Sequence, residues 1–133
     1  MKFQDIEYFL KENHRGVITT KKKDGALHSS IIVCGAFENK AAFVAVRGKS
    51  MKVVNLRKDS KCSLLIVTNN WREWINIEGD AQLFDYKNSD PEYVRKLLRD
   101  IYNVCGDAEH PDTICLTQFV KKFNIFNFIN NIN

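Results

Sequence analysis

The sequence of 133 residues lacks the long apolar runs that mark membrane-embedded or secreted chains. No segment stays apolar over the roughly 20 residues that a transmembrane helix needs. The first residues, Met-Lys-Phe-Gln-Asp-Ile-Glu, show no apolar signal-peptide core. We therefore expect no membrane association and a cytoplasmic location. The length and the apolar and charged fractions predict a single globular domain over residues 1–133.

Cysteine pairs and familiar catalytic motifs are also missing. The four cysteines are scattered, with no C-x-x-C pair among them: Cys34, Cys62, Cys105 and Cys115. This spacing argues against disulfides and against a structural zinc site. The three histidines lack metal-ligand spacing, so we expect no metal site and interpret His14, His28 and His110 as surface or turn residues. No G-x-S-x-G, H-E-x-x-H, Walker or G-x-G-x-x-G pattern occurs and no catalytic residue stands out, so an enzymatic reaction would depend on a bound cofactor.

Positive charge is concentrated in one segment, residues 47–61. It carries six basic residues against one acid, whereas the whole chain has a net charge of only +4. Ser50 stands where a helix would begin after an apolar strand, so backbone N–H groups and the helix dipole would point out of its first turn. Arg47, Lys49 and Lys52 are concentrated at the same end, a combination typical of a phosphate site. A solvated charge run and a nucleic-acid patch are the alternatives, although no aromatic residues alternate with these cations.

The rest of the sequence predicts strands joined by tight turns, with helices between them. Apolar spacing predicts a helix over 3–13, and Asp90-Pro91-Glu92 predicts the start of another that Gly106 ends. Strands are expected over 17–21, 27–37, 41–46, 62–67 and 72–84, with a short helix over 50–58 and a bulge or bend at Gly79. This order predicts a mainly β fold with flanking helices, built as an antiparallel barrel.

The last ten residues are rich in asparagine and show no clean period. A satellite helix, a ragged final strand and a disordered tail all remain open for residues 124–133. The domain boundary of 1–133 therefore includes a candidate tail outside the core.

Five short stretches, in this order and spacing, resemble the pyridoxamine 5'-phosphate oxidase-like split β-barrel superfamily. They are residues 16–20, Asp24-Gly25 with Ser30, residues 50–52 with 55–59, residues 77–83, and residues 109–112. The nearest group is the small single-domain proteins that bind flavin or the deazaflavin coenzyme F-420. The resemblance covers residues 8–112 and implies a split antiparallel β-barrel of the FMN-binding split-barrel type. Superfamily members usually end in a basic and apolar strand that closes the barrel. The asparagine-rich end departs from that pattern, through either a degenerate strand or a chain altered after residue 112.

The resemblance also implies where a cofactor would bind. Lys52 corresponds to the lysine that contacts the cofactor phosphate, and Ser50 to a position held by Ser, Thr or Arg. Arg47 and Lys49 lie close enough in sequence to assist.

Further residues are implied to border the cofactor ring. Thr19, Thr20 and Ser30 fall on the strands beside the ring in the superfamily, with simple β-strand preference as the alternative. Members are typically homodimers that hold the cofactor at the subunit interface. Trp71 and Trp74 lie in a stretch that can reach the partner's site, although core or dimer packing would also explain them.

The implied function is that of an oxidoreductase transferring a hydride between coenzyme F-420 or FMN and a planar, conjugated small molecule. F-420 is preferred narrowly over FMN. The first alternative is a non-catalytic FMN-binding, storage or stress-related flavoprotein. The second is a small basic nucleic-acid-binding barrel, although a nucleic-acid partner is not expected. Full-length pyridoxamine phosphate oxidases are longer and carry substrate-binding residues that are absent from this sequence, which argues against oxidation of vitamin B6 itself.

Overall fold

The structure is a computed structural model that describes residues 4–45, 50–84, 89–102 and 114–127. These residues contain three helices and six strands, in chain order α1 Gln4–Glu12, β1 Arg15–Lys21, β2 Leu27–Phe37, β3 Lys40–Ala45, α2 Met51–Lys58, β4 Lys61–Val67, β5 Glu73–Phe84, α3 Pro91–Tyr102 and β6 Ile114–Asn127. The predicted elements from α1 to β5 form within about two residues of their expected bounds. The expected end of α3 at Gly106 lies outside the described residues.

The six strands form one closed antiparallel barrel in the order β1-β2-β3-β6-β5-β4. β1 pairs with β4 to close the ring, and β6 lies between β3 and β5. The predicted split-barrel fold is therefore confirmed. The final strand forms despite its asparagines, and residues 124–127 pair with residues 73–76 of β5.

Alternating apolar residues of the strands fill the inside of the barrel. Ile18, Leu64, Ile66, Ile75 and Ile77 are fully buried there. Helices α1 and α2 add their apolar faces to the same cluster through Ile6, Phe9, Leu10, Val53 and Leu56. This shared burial fixes α2 against the barrel, since each buried aliphatic or aromatic side chain contributes about 1.5–3 kcal/mol.

Helix α3 packs on the outer face of β2 and β3. Val94, Leu97 and Ile101 form a second apolar cluster with Phe37 and Ala42. The helix begins as the sequence predicts, because the Asp90 carboxylate accepts a hydrogen bond from the Glu92 N–H at 3.1 Å. This packing leaves the outer faces of β1, β4 and β5 without a covering helix among the described residues.

The predicted irregularity of β5 is present as a shift in its register with β6 between Glu78 and Gly79. In the part of the chain that the structure describes, no helix is both long and apolar enough to cross a membrane.

Candidate functional site

Ser50 is the N-cap residue of α2, as the sequence predicts. Its backbone is extended (φ −62°, ψ 151°), and its carbonyl oxygen accepts hydrogen bonds from the N–H groups of Val53 and Val54, both at 3.1 Å. The N–H groups of Met51 and Lys52 precede these first intrahelical bonds and point out of the helix end. The helix therefore offers two backbone donors and the positive end of its dipole.

The Ser50 hydroxyl differs from that of an ordinary capping serine. It makes no hydrogen bond to the helix, and its Oγ is buried without a hydrogen-bond partner among the described residues. A buried polar atom left unpaired costs about 1–3 kcal/mol. A ligand that bonds this hydroxyl would remove the cost.

Lys52 supplies positive charge on the first turn of the same helix. Partial burial lowers the pKa of its ammonium group from the ordinary value, because desolvation disfavours the charged form. An anion bound beside Lys52 would favour that charged form again. Together the helix end, the Ser50 hydroxyl and Lys52 suit a phosphate group.

The position of α2 is set by a buried polar contact as well as by its apolar face. Asn55 is 3% exposed, and its Nδ2 donates to Thr20 Oγ1 of β1 at 3.0 Å. Thr20 is itself buried, so both side chains are satisfied inside the barrel. This bond ties the middle of α2 to the end of β1 and so fixes where Ser50 lies.

Two further buried polar atoms without partners among the described residues lie on β2. They are Ser30 Oγ and His28 Nδ1. Ser30 pairs with Ile18 across β1, and His28 pairs with Thr20. Side chains alternate along a strand, so His28 and Ser30 share the inner face with Ile32, which is 4% exposed. α2 contacts both β1 and β2, so these atoms lie on a strand against which the helix packs.

The side chains of Thr19 and Thr20 point to opposite faces of β1. Thr20 points into the barrel, whereas Thr19 lies on the outer face and shares a 2.8 Å hydrogen bond with Ser29. Both residues nevertheless contribute to the lining of one cavity at the end of β1. Thr20 and Ser30 both point to the inner face, where Thr20 contacts Asn55 of α2.

Trp74 and Trp71 lie on the outside of the barrel, at the end opposite to Thr20. Trp74 is half-buried on β5 and pairs with Val67 of β4. Trp71 is 74% exposed in the β4–β5 turn, where its φ is +64°. That backbone conformation is unfavourable for a bulky residue, so the turn holds an aromatic side chain out at a local cost.

A cavity of about 390 Å³ opens where β1, β4 and β5 meet, and Thr19, Lys21, Cys62, Ser63 and Glu78 contribute to its lining. Burial, and to a smaller extent the charge of Asp80, raises the pKa of the Cys62 thiol to about 12. Cys62 is therefore a protonated core thiol at neutral pH and not a nucleophile.

A second, more open cavity of about 620 Å³ runs between α2 and the β1–β2 turn. Met51 and Lys58, the first and last residues of α2, both line it. Lys22 and Lys23 face them from the turn, with Asp24 as the one acid in the described lining. The groove is therefore basic and begins at the helix end that carries Ser50.

Ser50 and Lys52 lie on the first turn of α2, and Thr20 is bonded to Asn55 of the same helix. Ser30 lies on the inner face of β2, whereas Thr19 and Trp74 lie on the outer face. Arg47, Lys49 and residues 109–112 lie outside the described residues. Sequence reasoning missed His28, for which it predicts only a surface or turn position. The available signal is the two-residue alternation from Ile32 back through Ser30, which puts position 28 on the inner face.

Comparisons with known proteins agree with this fold. Residues 3–122 match the pyridoxamine 5'-phosphate oxidase family. Sequence comparison finds no significant match among curated proteins.

Three solved structures illustrate the likeness in fold. A conserved hypothetical protein from Mycobacterium tuberculosis is 17% identical with a TM-score of 0.74, over 100% of this chain and 89% of that one. An F420 reductase is 14% identical with a TM-score of 0.69, over 89% of this chain and 94% of that one. A Clostridium acetobutylicum protein related to general stress protein 26, of the pyridoxinephosphate oxidase family, is also 14% identical with a TM-score of 0.69, over 94% of this chain and 87% of that one.

Proposed function

Because the chain belongs to the pyridoxamine 5'-phosphate oxidase family, we propose that it is an oxidoreductase of the flavin-related kind that binds a phosphorylated cofactor, F-420 or FMN. The substrate is a planar, conjugated small molecule that exchanges a hydride with that cofactor. The likeness to an F420 reductase supports the fold on which such chemistry occurs.

The observation that carries the proposal is the unpaired, buried Ser50 hydroxyl at the N-terminus of α2. A phosphate there accepts hydrogen bonds from this hydroxyl and from the Met51 and Lys52 amides, and the Lys52 ammonium neutralises its charge. The cofactor, when bound, supplies the hydride chemistry. The residues of the chain anchor its phosphate, orient the rest of it along β2 and exclude water.

The basic groove along α2 favours F-420 over FMN. FMN ends at its phosphate, whereas F-420 continues from the phosphate into a tail of negatively charged glutamate residues. Lys22, Lys23 and Lys58 line the groove that begins at Met51. An anionic tail leaving the phosphate at the helix end would follow these cations.

We propose further that the protein acts as a homodimer through the outer face of the barrel. Leu27 and Ile31 of β2 are 68% and 76% exposed on that face, beside Thr19 and Ser29. A second subunit packed on this face would cover both side chains. Trp71 and Trp74 lie away from this strand, in and beside the β4–β5 turn, and in the dimer they would reach the partner's cofactor.

The anchor is tested by titrating the cofactor-free protein with FMN, riboflavin and F-420 and following fluorescence. Lys52→Ala removes one charge-assisted contact, about 1.5–3 kcal/mol. This corresponds to a ten- to hundredfold weaker affinity for FMN and F-420. Riboflavin, which lacks the phosphate, should bind both proteins equally. Lys58→Ala should weaken the binding of F-420 and leave the binding of FMN unchanged. Lys11→Ala, on α1, serves as the control for loss of a surface cation.

Unchanged FMN and F-420 affinity in Lys52→Ala would place the phosphate elsewhere and refute the anchor. Tight cofactor binding without turnover of any reducible aromatic substrate would favour the storage protein. Absence of cofactor binding, with DNA or RNA affinity that falls steeply with salt, would favour the nucleic-acid-binding alternative.

A further inference from the structure

We propose that His28 is a cofactor-binding residue that recognises the ribityl chain through Nδ1. The proposal rests on the proposed function, since FMN and F-420 both connect ring and phosphate through this polyol chain. It assigns a recognition role to a part of the site beyond the phosphate anchor.

The first argument is the burial of an imidazole nitrogen without a partner. His28 lies on the inner face of β2, directly opposite Thr20. Its Nδ1 is shielded from solvent and makes no hydrogen bond to any described residue. By contrast, both ring nitrogens of His14 lie within 2.9 Å of backbone carbonyl oxygens. Since buried polar atoms are nearly always paired, the unpaired atom at position 28 marks a place for a ligand.

The second argument is that the unpaired atoms lie on α2 and on a strand that α2 contacts. Thr20, the neighbour of His28, is bonded to Asn55 in the middle of α2. Ser50 lies five residues before Asn55, which is about 7.5 Å along the helix axis. A ligand that bonds both Ser50 Oγ and His28 Nδ1 would run from the end of α2 to the strands that its middle contacts, and a polyol chain joined to a phosphate has that form. Ser30 Oγ, also unpaired among the described residues, lies on the same face of β2 as His28.

The third argument concerns hydrogen-bond chemistry. An imidazole Nδ1 donates or accepts according to its tautomer, and a serine hydroxyl does both. The hydroxyl groups of a polyol chain also donate and accept, so they satisfy both side chains in either arrangement. The phosphate oxygens at neutral pH mainly accept hydrogen bonds, and the proposed anchor at the end of α2 already offers them donors.

Three probes separate the parts of the cofactor: FMN, riboflavin without the phosphate, and lumichrome without the ribityl chain. His28→Leu should weaken FMN and riboflavin by the same factor, about three- to tenfold for one neutral hydrogen bond. Lumichrome affinity should not change. His28→Asn, which can place a polar atom near the position of Nδ1, should retain wild-type affinity within about twofold, whereas His28→Gln should not.

Thermal melts of each cofactor-free variant establish that it is folded. If the wild-type protein binds only the deazaflavin, F-420 and its phosphate-free precursor replace FMN and riboflavin. If His28→Leu binds FMN and riboflavin as tightly as the wild type does, the proposal is overturned. It is also overturned if the affinity for lumichrome falls by the same factor as the affinity for FMN. These outcomes are independent of the phosphate anchor, because Lys52→Ala lowers the affinity for FMN and leaves the affinity for riboflavin unchanged.

Discussion

At the scale of single residues, this barrel carries several local costs around α2. The Ser50 hydroxyl, the Ser30 hydroxyl and His28 Nδ1 are all buried without partners among the described residues, and Lys52 is partly desolvated. None of these features stabilises the cofactor-free fold. Their concentration on one helix and one strand is typical of a binding site that has been selected at the expense of stability.

Gly16 shows the opposite case, a residue required by packing alone. A Cβ at this position would lie 2.9 Å from the Leu65 carbonyl oxygen and 3.2 Å from side-chain atoms of Leu64 and Ile66. The backbone atom cannot move without disturbing the β1–β4 pairing that closes the barrel. Gly16→Ala should therefore lower the free energy of unfolding by about 1–3 kcal/mol.

Urea denaturation of Gly16→Ala should show a lower midpoint with an unchanged m-value. Gly25→Asn is the matched control. Gly25 has a φ of +88°, and a Cβ added there would meet no described atom within 4 Å, while asparagine tolerates that conformation. A wild-type midpoint for Gly16→Ala would mean that β1 and β4 can separate locally at little cost.

At the scale of elements, the β2–β3 hairpin docks α3. Glu38 and Asn39 have φ values of +50° and +62°, which identify a type I′ turn between Phe37 and Lys40. The Glu38 side chain contacts α3 from this turn. It accepts a hydrogen bond from the Tyr93 hydroxyl at 3.3 Å and forms an ion pair with Lys96 at 3.8 Å. Burial first, and then the charge and hydrogen bond of Glu38, raise the pKa of Tyr93.

Asn39→Gly should stabilise the protein by about 0.5–1 kcal/mol, because glycine adopts a positive φ without strain. Glu38→Gly should gain less, since it removes both contacts with α3. Thermal melts of the two variants measure the difference. A lower melting temperature for Asn39→Gly would show that the asparagine side chain contributes a contact that outweighs its backbone strain.

Most elements could be predicted from the sequence because their signals are local. Alternation in β5, the Asp24-Gly25 turn and the Asp90-Pro91 helix start each depend on a few neighbouring residues. The bounds of β6 were not predicted. Its residues 114–123 contain no asparagine, and only Asn124 and Asn127 at its end interrupt the pattern. Its pairing with β3 and β5 is determined by residues far away in sequence. The site was predicted in part for the same reason. Ser50 belongs to a helix-start pattern, whereas the burial of His28 Nδ1 depends on packing between residues that are far apart in sequence.

At the scale of the whole molecule, the proposed dimer can be tested without disturbing the monomer. Ile31 is 76% exposed, so Ile31→Glu should scarcely change the stability of a single subunit. Inside an apolar interface the same carboxylate would be desolvated without a partner. We expect light scattering to give twice the 15.4 kDa chain mass for the wild type and the single mass for the variant.

Tyr8→Glu, a comparable change at a 57% exposed position on α1, should leave the dimer intact. Cofactor affinity should fall together with dimerisation if the two subunits share each site. A dimeric Ile31→Glu protein would show that the interface uses a different face.

The strand order also has a consequence for the synthesis of the chain. β6 is the last of the six strands in sequence, yet it occupies the place between β3 and β5. Until residue 127 has left the ribosome, the nascent chain has two unpaired strand edges facing each other across a gap. Such edges are sites of intermolecular pairing. Barrel closure is therefore a late step, and until then those edges are open to pairing with another chain.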